Sequence, residues 1–233
     1  LFSPLSVQGP MARNVPDVAL FLDTMAGYCH LDPMTFDAPR LSFSNAVAAP
    51  QRPHRVAFAA TIGGSPVDQE TENICRDSMR HFKNVGSKVE EITIDLEDLE
   101  DTFLALRSQE FVIDRELQLE RYRDQIKPDI IWNTELGLEQ SIPTLAKAER
   151  ARAALYTQFN DLFSQYDLIV TPGANTPAFD VELRYPEAID GIKLEHYMAA
   201  STLTAAVTIS ASPALSLPCG FDQYGRPIGL QLI

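Results

Sequence analysis

Cysteine is scarce in this chain: three residues in 233, Cys29, Cys75 and Cys219, lie far apart. They make neither a disulfide framework nor a Cys-x-x-Cys metal knuckle, and they fit a reducing, cytoplasmic compartment. The four histidines, His30, His54, His81 and His196, show no i, i+4 pairing with one another or with a cysteine, so the sequence supports no metal site. Positive charge is short as well. Lys and Arg number 19 against 32 Asp and Glu, a net charge of −13 with no basic run, and a broad nucleic-acid-binding surface is excluded. No apolar run reaches the ~18 residues of a membrane span, and no basic-then-apolar leader is present. There is no Gly-x-Ser-x-Gly elbow, no phosphate loop, no internal repeat and no low-complexity tract.

What is present reads as a globular α/β chain. Hydrophobic residues make up 45%, enough for an ordinary core. Residues 1–53 read as a helix and a linker. Leu1–Gln8 is a loop-like opening. Asn14 caps a helix with Pro16 in its first turn, Val15, Val18, Ala19, Leu22, Met25 and Ala26 recur at helical spacing, and Gly27 ends the run. His30–Arg52, rich in Pro and Ala, reads as an ordered loop.

Residues 54–94 read as a βαβ unit with a parallel sheet: a strand at Arg55–Ala59, a turn at Gly63–Pro66, a helix over Val67–Val85 capped by Asp68, and a strand at Lys88–Ile94. Residues 95–166 read as mainly helical. One helix covers Leu96 to about Ile126, Pro128–Ser141 is unassigned, and Ser141 starts another helix. Residues 167–233 carry the core strands. Tyr166–Pro172 is a buried strand, Gly173–Asp190 a loop and Leu194–Ile209 a helix. Ala214–Leu217 and Ile228–Ile233 alternate apolar with polar residues about a polar loop holding Gly225 and Pro227, the pattern of two antiparallel strands. The chain stops at Ile233 inside an apolar run without cap or breaker, from which a fragment of a longer protein is expected.

Three stretches carry a resemblance. Gly9-Pro-Met-Ala-Arg-Asn-Val-Pro-Asp-Val-Ala-Leu-Phe-Leu-Asp-Thr-Met-Ala-Gly27, Asp167-Leu-Ile-Val-Thr-Pro-Gly-Ala174, and Pro213-Ala-Leu-Ser-Leu-Pro-Cys-Gly-Phe221 with Gly225-Arg-Pro-Ile-Gly-Leu-Gln-Leu-Ile233 follow one another in the order found in the amidase signature family, which they resemble. Thr208-Ile-Ser-Ala-Ser-Pro-Ala214 is similar to the family's Asn-Leu-Thr-Gly-Leu-Pro-Ala, with Thr208 in place of Asn and Ala211 in place of Gly. The resemblance implies a mixed β-sheet sandwiched between helices, with residues 1–233 forming the C-terminal portion of one domain. It implies hydrolysis of a carboxylic amide through an acyl-enzyme. A lysine acts through a cis-serine to activate the nucleophilic serine, and backbone N–H groups hold the oxyanion. No cofactor is implied. The family's triad precedes the Gly9 motif, so no residue here inherits a catalytic role, and the missing N-terminal segment of the same enzyme becomes an expected partner.

Thr171, Gly173, Ala174, Ser210 and Ser212 are the candidate substrate-binding residues, on loops that follow strands or match the family. Read without the family, Thr171–Asn175 is equally a plain strand exit. Gly63-Gly64-Ser65-Pro66 resembles a catalytic glycine–serine run only superficially and reads as a turn. Cys219 reads as a small core residue rather than a nucleophile. The acidic runs at Glu90–Glu91 and Glu97–Asp101 read as solvated faces. A small-molecule amide is the expected ligand, and a homo-oligomer is open. Two other functions stay open: a non-catalytic small-molecule binding module, and part of one subunit of a tRNA-dependent amidotransferase.

Overall fold

The computed structural model describes residues 5–233, so the opening expected at Leu1–Gln8 lies partly outside the described residues. The chain divides into two compact units, one ending at Arg52 and the other starting at Pro53. In the first, helix α1 (Val15–Met25) starts at Asn14, whose side chain accepts from Asp17 N and satisfies one of the free N–H groups of the first turn. A second helix, α2 (Phe43–Ala48), lies inside the stretch expected to be loop. Its first turn is held from two sides: Ser42 accepts from Asn45 N, and the Asp23 carboxylate accepts from Phe43 N and Ser44 N. That long-range cap explains a helix too short to be seen as a period.

The second unit is built on a five-stranded mixed sheet. Strand β1 (Arg55–Phe58) leads through the Gly63–Pro66 turn to α3 (Gln69–Ser78), capped by Asp68, whose carboxylate accepts from Thr71 N. The single helix expected over Val67–Val85 breaks at Met79, and α4 (Arg80–Asn84) follows. The Ser78 hydroxyl donates to Ile74 O, a back-bond that bends helices, and Met79 N turns to Arg76 O. Strand β2 (Lys88–Glu91) then pairs parallel with β1, completing the βαβ unit.

Helices α5 (Leu99–Tyr122), α6 (Pro128–Leu138) and α7 (Ile142–Phe163) follow; α6 fills the unassigned Pro128–Ser141 stretch. Strand β3 (Leu168–Pro172) pairs parallel with β1. The expected Gly173–Asp190 loop ends in a small hairpin of β4 (Ala188–Ile189) and β5 (Ile192–Lys193), turned by Asp190 and Gly191 at φ 47° and 81°. Leu194–Ile209 is helical only from Tyr197: a 3-10 turn to Ser201, then α8 (Thr202–Ile209). Strands β6 (Leu215–Phe221) and β7 (Pro227–Leu232) form the terminal antiparallel hairpin, giving the order β2-β1-β3-β7-β6.

Register decides what each sheet face buries. Val56, Phe58, Val170, Ile228 and Leu230 meet Cys75 of α3 and Met79 between α3 and α4 in one apolar cluster. The opposite face carries Ala57 and Ile169, both fully buried, and then a polar row in which Thr171 pairs with Gln231 and Gln231 with Ser216. Helix α5 packs against both α6 and α7, and α8 joins α5 and α7. The sheet is mixed and flanked by helices, as the sequence led us to expect. No helix of the described residues is long and apolar enough to cross a membrane.

Candidate substrate site

Strand β3 delivers Thr171 and Pro172 to the sheet's carboxyl end, where loops gather. Thr171 is fully buried; its hydroxyl donates to Pro172 O and accepts from Gln231 Nε2 at 3.2 Å. Gly173 N still donates to Gly229 O of β7, at 2.8 Å. A Cβ at Gly173 would lie 3.1 Å from that oxygen, so this glycine permits approach of one strand to another rather than of a ligand. Ala174 is exposed, and Asn175 turns fully inward. Asn175 Nδ2 donates to Pro66 O at 2.7 Å and its carbonyl accepts from Asp68 N, which staples the β3 exit to the Gly63–Pro66 turn. Its Oδ1 is buried without a partner.

The hairpin loop closes on the same end. Asp222 accepts from Tyr224 N, Arg226 N and Arg226 Nε, and Arg226 Nη1 reaches Ala178 O at 2.8 Å. Burial alone would raise the Asp222 carboxyl; the hydrogen bonds from Arg226 and Tyr224 outweigh it and hold the group below the usual carboxylate range.

Ser210 and Ser212 sit elsewhere. Ser210 ends α8, its hydroxyl donates to Val207 O, and its Oγ lies 2.9 Å from the Ser212 hydroxyl. Leu215 at the start of β6 is level with Val170, and Leu217 with Pro172, through their shared partners Leu232 and Leu230. Ser212 therefore precedes β6 at the end where β3 enters the sheet, while Ala174 lies beyond the end where β3 leaves. The structure joins Ser210 to Ser212 and Thr171 to Gly173, but it does not bring the two pairs together.

Between the two serines, Ala211 has φ 54°. This is the αL position that closes a helix and that glycine usually fills, and the family's motif has glycine at the position of Ala211. Left-handed backbone costs an L-residue about 1–2 kcal/mol, of which the greater unfolded-state freedom of glycine offsets about half, so Ala211→Gly is expected to raise the melting temperature by about 2–4 °C. A thermal melt that shows no rise, or a fall, would contradict this conformation.

Gln231, Asn175 and Ser216 were not singled out as site residues. Their signal was weak: a polar residue between two apolar ones in a strand reads as solvent-facing, yet Gln231 is buried. A second polar cluster was missed entirely. Asn133 of α6 donates to Asp129 O and Tyr197 Oη, both at 2.6 Å, and accepts from Arg107 Nε of α5, while His196 Nε2 lies 2.8 Å from Glu100. These bonds tie the 3-10 turn to α5 and α6.

For acyl transfer of the serine type, the described residues offer hydroxyls and amides but no hydroxyl activated by a base. Lys83, Lys88, Lys127, Lys147 and Lys193 are all exposed. Lys88, Lys147 and Lys193 make ion pairs with Glu90, Asp98 and Glu195, and the Asp98 hydrogen bond and charge raise the Lys147 ammonium above the ordinary lysine range, away from the neutral amine a base requires. Among the described residues no serine hydroxyl is paired with a lysine or histidine.

The Amidase family model matches residues 1–233. An acylamidase of Rhodococcus erythropolis is 25% identical over 226 residues, covering 96% of this chain and 47% of the relative. A glutamyl-tRNA(Gln) amidotransferase subunit of Shouchella clausii is 25% identical over 256 residues, covering 99% and 52%. A bacterial aryl acylamidase of the amidase signature family has the same fold at a TM-score of 0.84 and 22% identity, over 97% of this chain and 48% of that one. The chain thus spans about half the length of the curated relatives it matches, and the family match runs through all three sequence motifs. This chain belongs to the amidase signature family.

Proposed function

We propose that this chain is the substrate-positioning part of an enzyme that hydrolyses a carboxylic amide to an acid and ammonia or an amine. The nucleophilic serine, the cis-serine and the lysine of the family mechanism are supplied by residues outside these 233. The observation that carries this reading is the family match across the whole chain together with five lysines that are all exposed. A Ser–Lys mechanism needs a desolvated lysine in hydrogen-bond reach of a serine, and among the described residues every lysine is solvent-exposed and none is bonded to a serine hydroxyl.

In this reading Thr171, Gly173, Ala174, Ser210 and Ser212 stand on the substrate side, and the split between them gives them different tasks. Ala174 is open to a ligand at the β3 exit. Thr171 and Gly173 hold that exit in place through Gln231 and Gly229, and Ser210 and Ser212 fix the passage from α8 to β6.

The test is Ala174→Trp in the intact enzyme. KM for a bulky aryl amide should rise about tenfold while kcat for a small aliphatic amide stays unchanged, the scale of a lost apolar contact in a pocket. Equal kinetics across amides of different size would remove Ala174 from the site.

A second reading has its own support: the amidotransferase relative matches at the same 25% identity as the acylamidase. In that role the ammonia released passes to a tRNA-linked acid. Release of free ammonia from simple amides by the purified enzyme, with no other protein present, favours the free-standing hydrolase.

A further inference from the structure

Two of the three cysteines, 144 residues apart, meet across the apolar face of the sheet. Cys75 Sγ on α3 lies 3.9 Å from Cys219 Sγ on β6. Three local features of β6 make the approach. Pro218 pairs with Gly229 and Gly220 with Ile228, so Cys219 is the extra residue of a β-bulge, free of the regular ladder on an edge strand. Bulges at sheet edges re-aim a side chain. Gly220 lets the strand close on α3, since a Cβ there would lie 2.7 Å from Ile74 Cγ2. Ser78 Oγ also lies 3.2 Å from Cys219 O, so its one proton is shared between Ile74 O and the bulged carbonyl.

We propose that Cys75 and Cys219 are a redox-active pair that a hydroperoxide converts to a disulfide, clamping α3 to the terminal hairpin. Cys219 is half-buried and meets the oxidant, whereas Cys75 is fully buried and resolves the product. The Cys75 thiol hydrogen-bonded to Cys219 brings the latter down to about 7 against the opposing effect of burial, with Ser78 helping. The same contact and burial push Cys75 up. The thiolate is thus the outer sulfur, the one that must react first.

In the first step the Cys219 thiolate attacks an oxygen of the hydroperoxide. The O–O bond breaks, Cys219 becomes a sulfenic acid, and the departing alkoxide takes up the proton that the Cys219 thiol released on ionising, leaving as the alcohol (water when the oxidant is hydrogen peroxide). In the second, Cys75 sulfur attacks Cys219 Sγ and its proton joins the departing hydroxyl, so an S–S bond forms and water leaves. Two thiols lose two electrons and the peroxide gains two. The sulfurs must close from 3.9 Å to about 2.05 Å, a movement that the bulge on an edge strand allows.

The protein is treated with a small excess of hydrogen peroxide, quenched, denatured, alkylated and digested. The expected result is a Cys75–Cys219 cross-linked peptide that dithiothreitol removes, with the melting temperature raised by about 5–10 °C in the oxidised form. Cys29→Ser should keep the cross-link. Cys75→Ala should abolish it and leave a sulfenic acid on Cys219 that dimedone traps. Because Cys75 is a core residue, Cys219→Ser serves as the second variant and should protect Cys75 from oxidation. Recovery of both cysteines alkylated while Cys29 is consumed, or of Cys219 as sulfinic acid beside a free Cys75, would overturn the proposal.

Discussion

Gly137→Ala is expected to lower the melting temperature by about 4–8 °C, although alanine is the better helix former. On an exposed helix the exchange would stabilise by about 1 kcal/mol. Here Gly137 of α6 faces α5 so closely that an added Cβ would lie 2.3 Å from Ser108 O and 2.6 Å from Val112 Cγ2. A backbone carbonyl cannot swing aside, so the two helices must separate. Ser108, fully buried, also receives the Gln140 side chain at this crossing, and Gln140 Nε2 reaches Ala105 O at 3.2 Å. Separation would strain these bonds as well as the apolar packing. Overpacking of this kind costs about 1–3 kcal/mol, and about 2–4 °C of melting temperature follows per kcal/mol in a unit of this size. The sign decides the matter: a melt that rises with Gly137→Ala means that the helices do not meet here.

The largest effect expected concerns activity. In the proposed reading, these 233 residues on their own should turn over simple amides at no more than background. Acyl transfer needs a nucleophile, a base and oxyanion donors within hydrogen-bond reach of one another. Among the described residues, the exposed lysines and the serine hydroxyls, none of them bonded to a lysine or a histidine, supply none of these couples. Loss of one triad member from a serine hydrolase costs roughly 10⁴- to 10⁶-fold, so loss of the whole set should leave a deficit of about 10⁶ or more beside the intact enzyme. Turnover that copurifies with the chain and vanishes when Ser65 or another of its own serines is mutated would require a triad within these residues.

Much of the fold was legible because its signals are local. Asn14, Asp68 and Ser141 each cap the helix that they seemed to start, and the alternation about Gly225 marked the terminal hairpin. The misses share a cause. The stretch Pro128–Ser141 carries no element in the sequence reading, yet its proline sits where a helix needs no N–H and its Gly137 is required by a neighbour 29 residues back in sequence. The break at Met79 depends on what one serine hydroxyl bonds, which no periodicity records. The site was less legible still. Thr171, expected on a loop after a strand, lies inside β3 one residue before its end; its closure by Gln231, the distance between the β3 exit and the start of β6, and the meeting of Cys75 with Cys219 all depend on register between remote strands. The family resemblance named loops; only the pairing of β3, β7 and β6 could order them along the sheet.

The most direct measurement of the central claim is covalent trapping of the nucleophile. The intact enzyme is incubated with a fluorophosphonate that modifies activated serines, in the presence and absence of an amide substrate, and the labelled peptide is identified by mass spectrometry. The account predicts a single substrate-protected label on a serine outside residues 1–233, with every serine of this chain unmodified. A substrate-protected label on Ser65, Ser210, Ser212 or any other serine within these residues would contradict it.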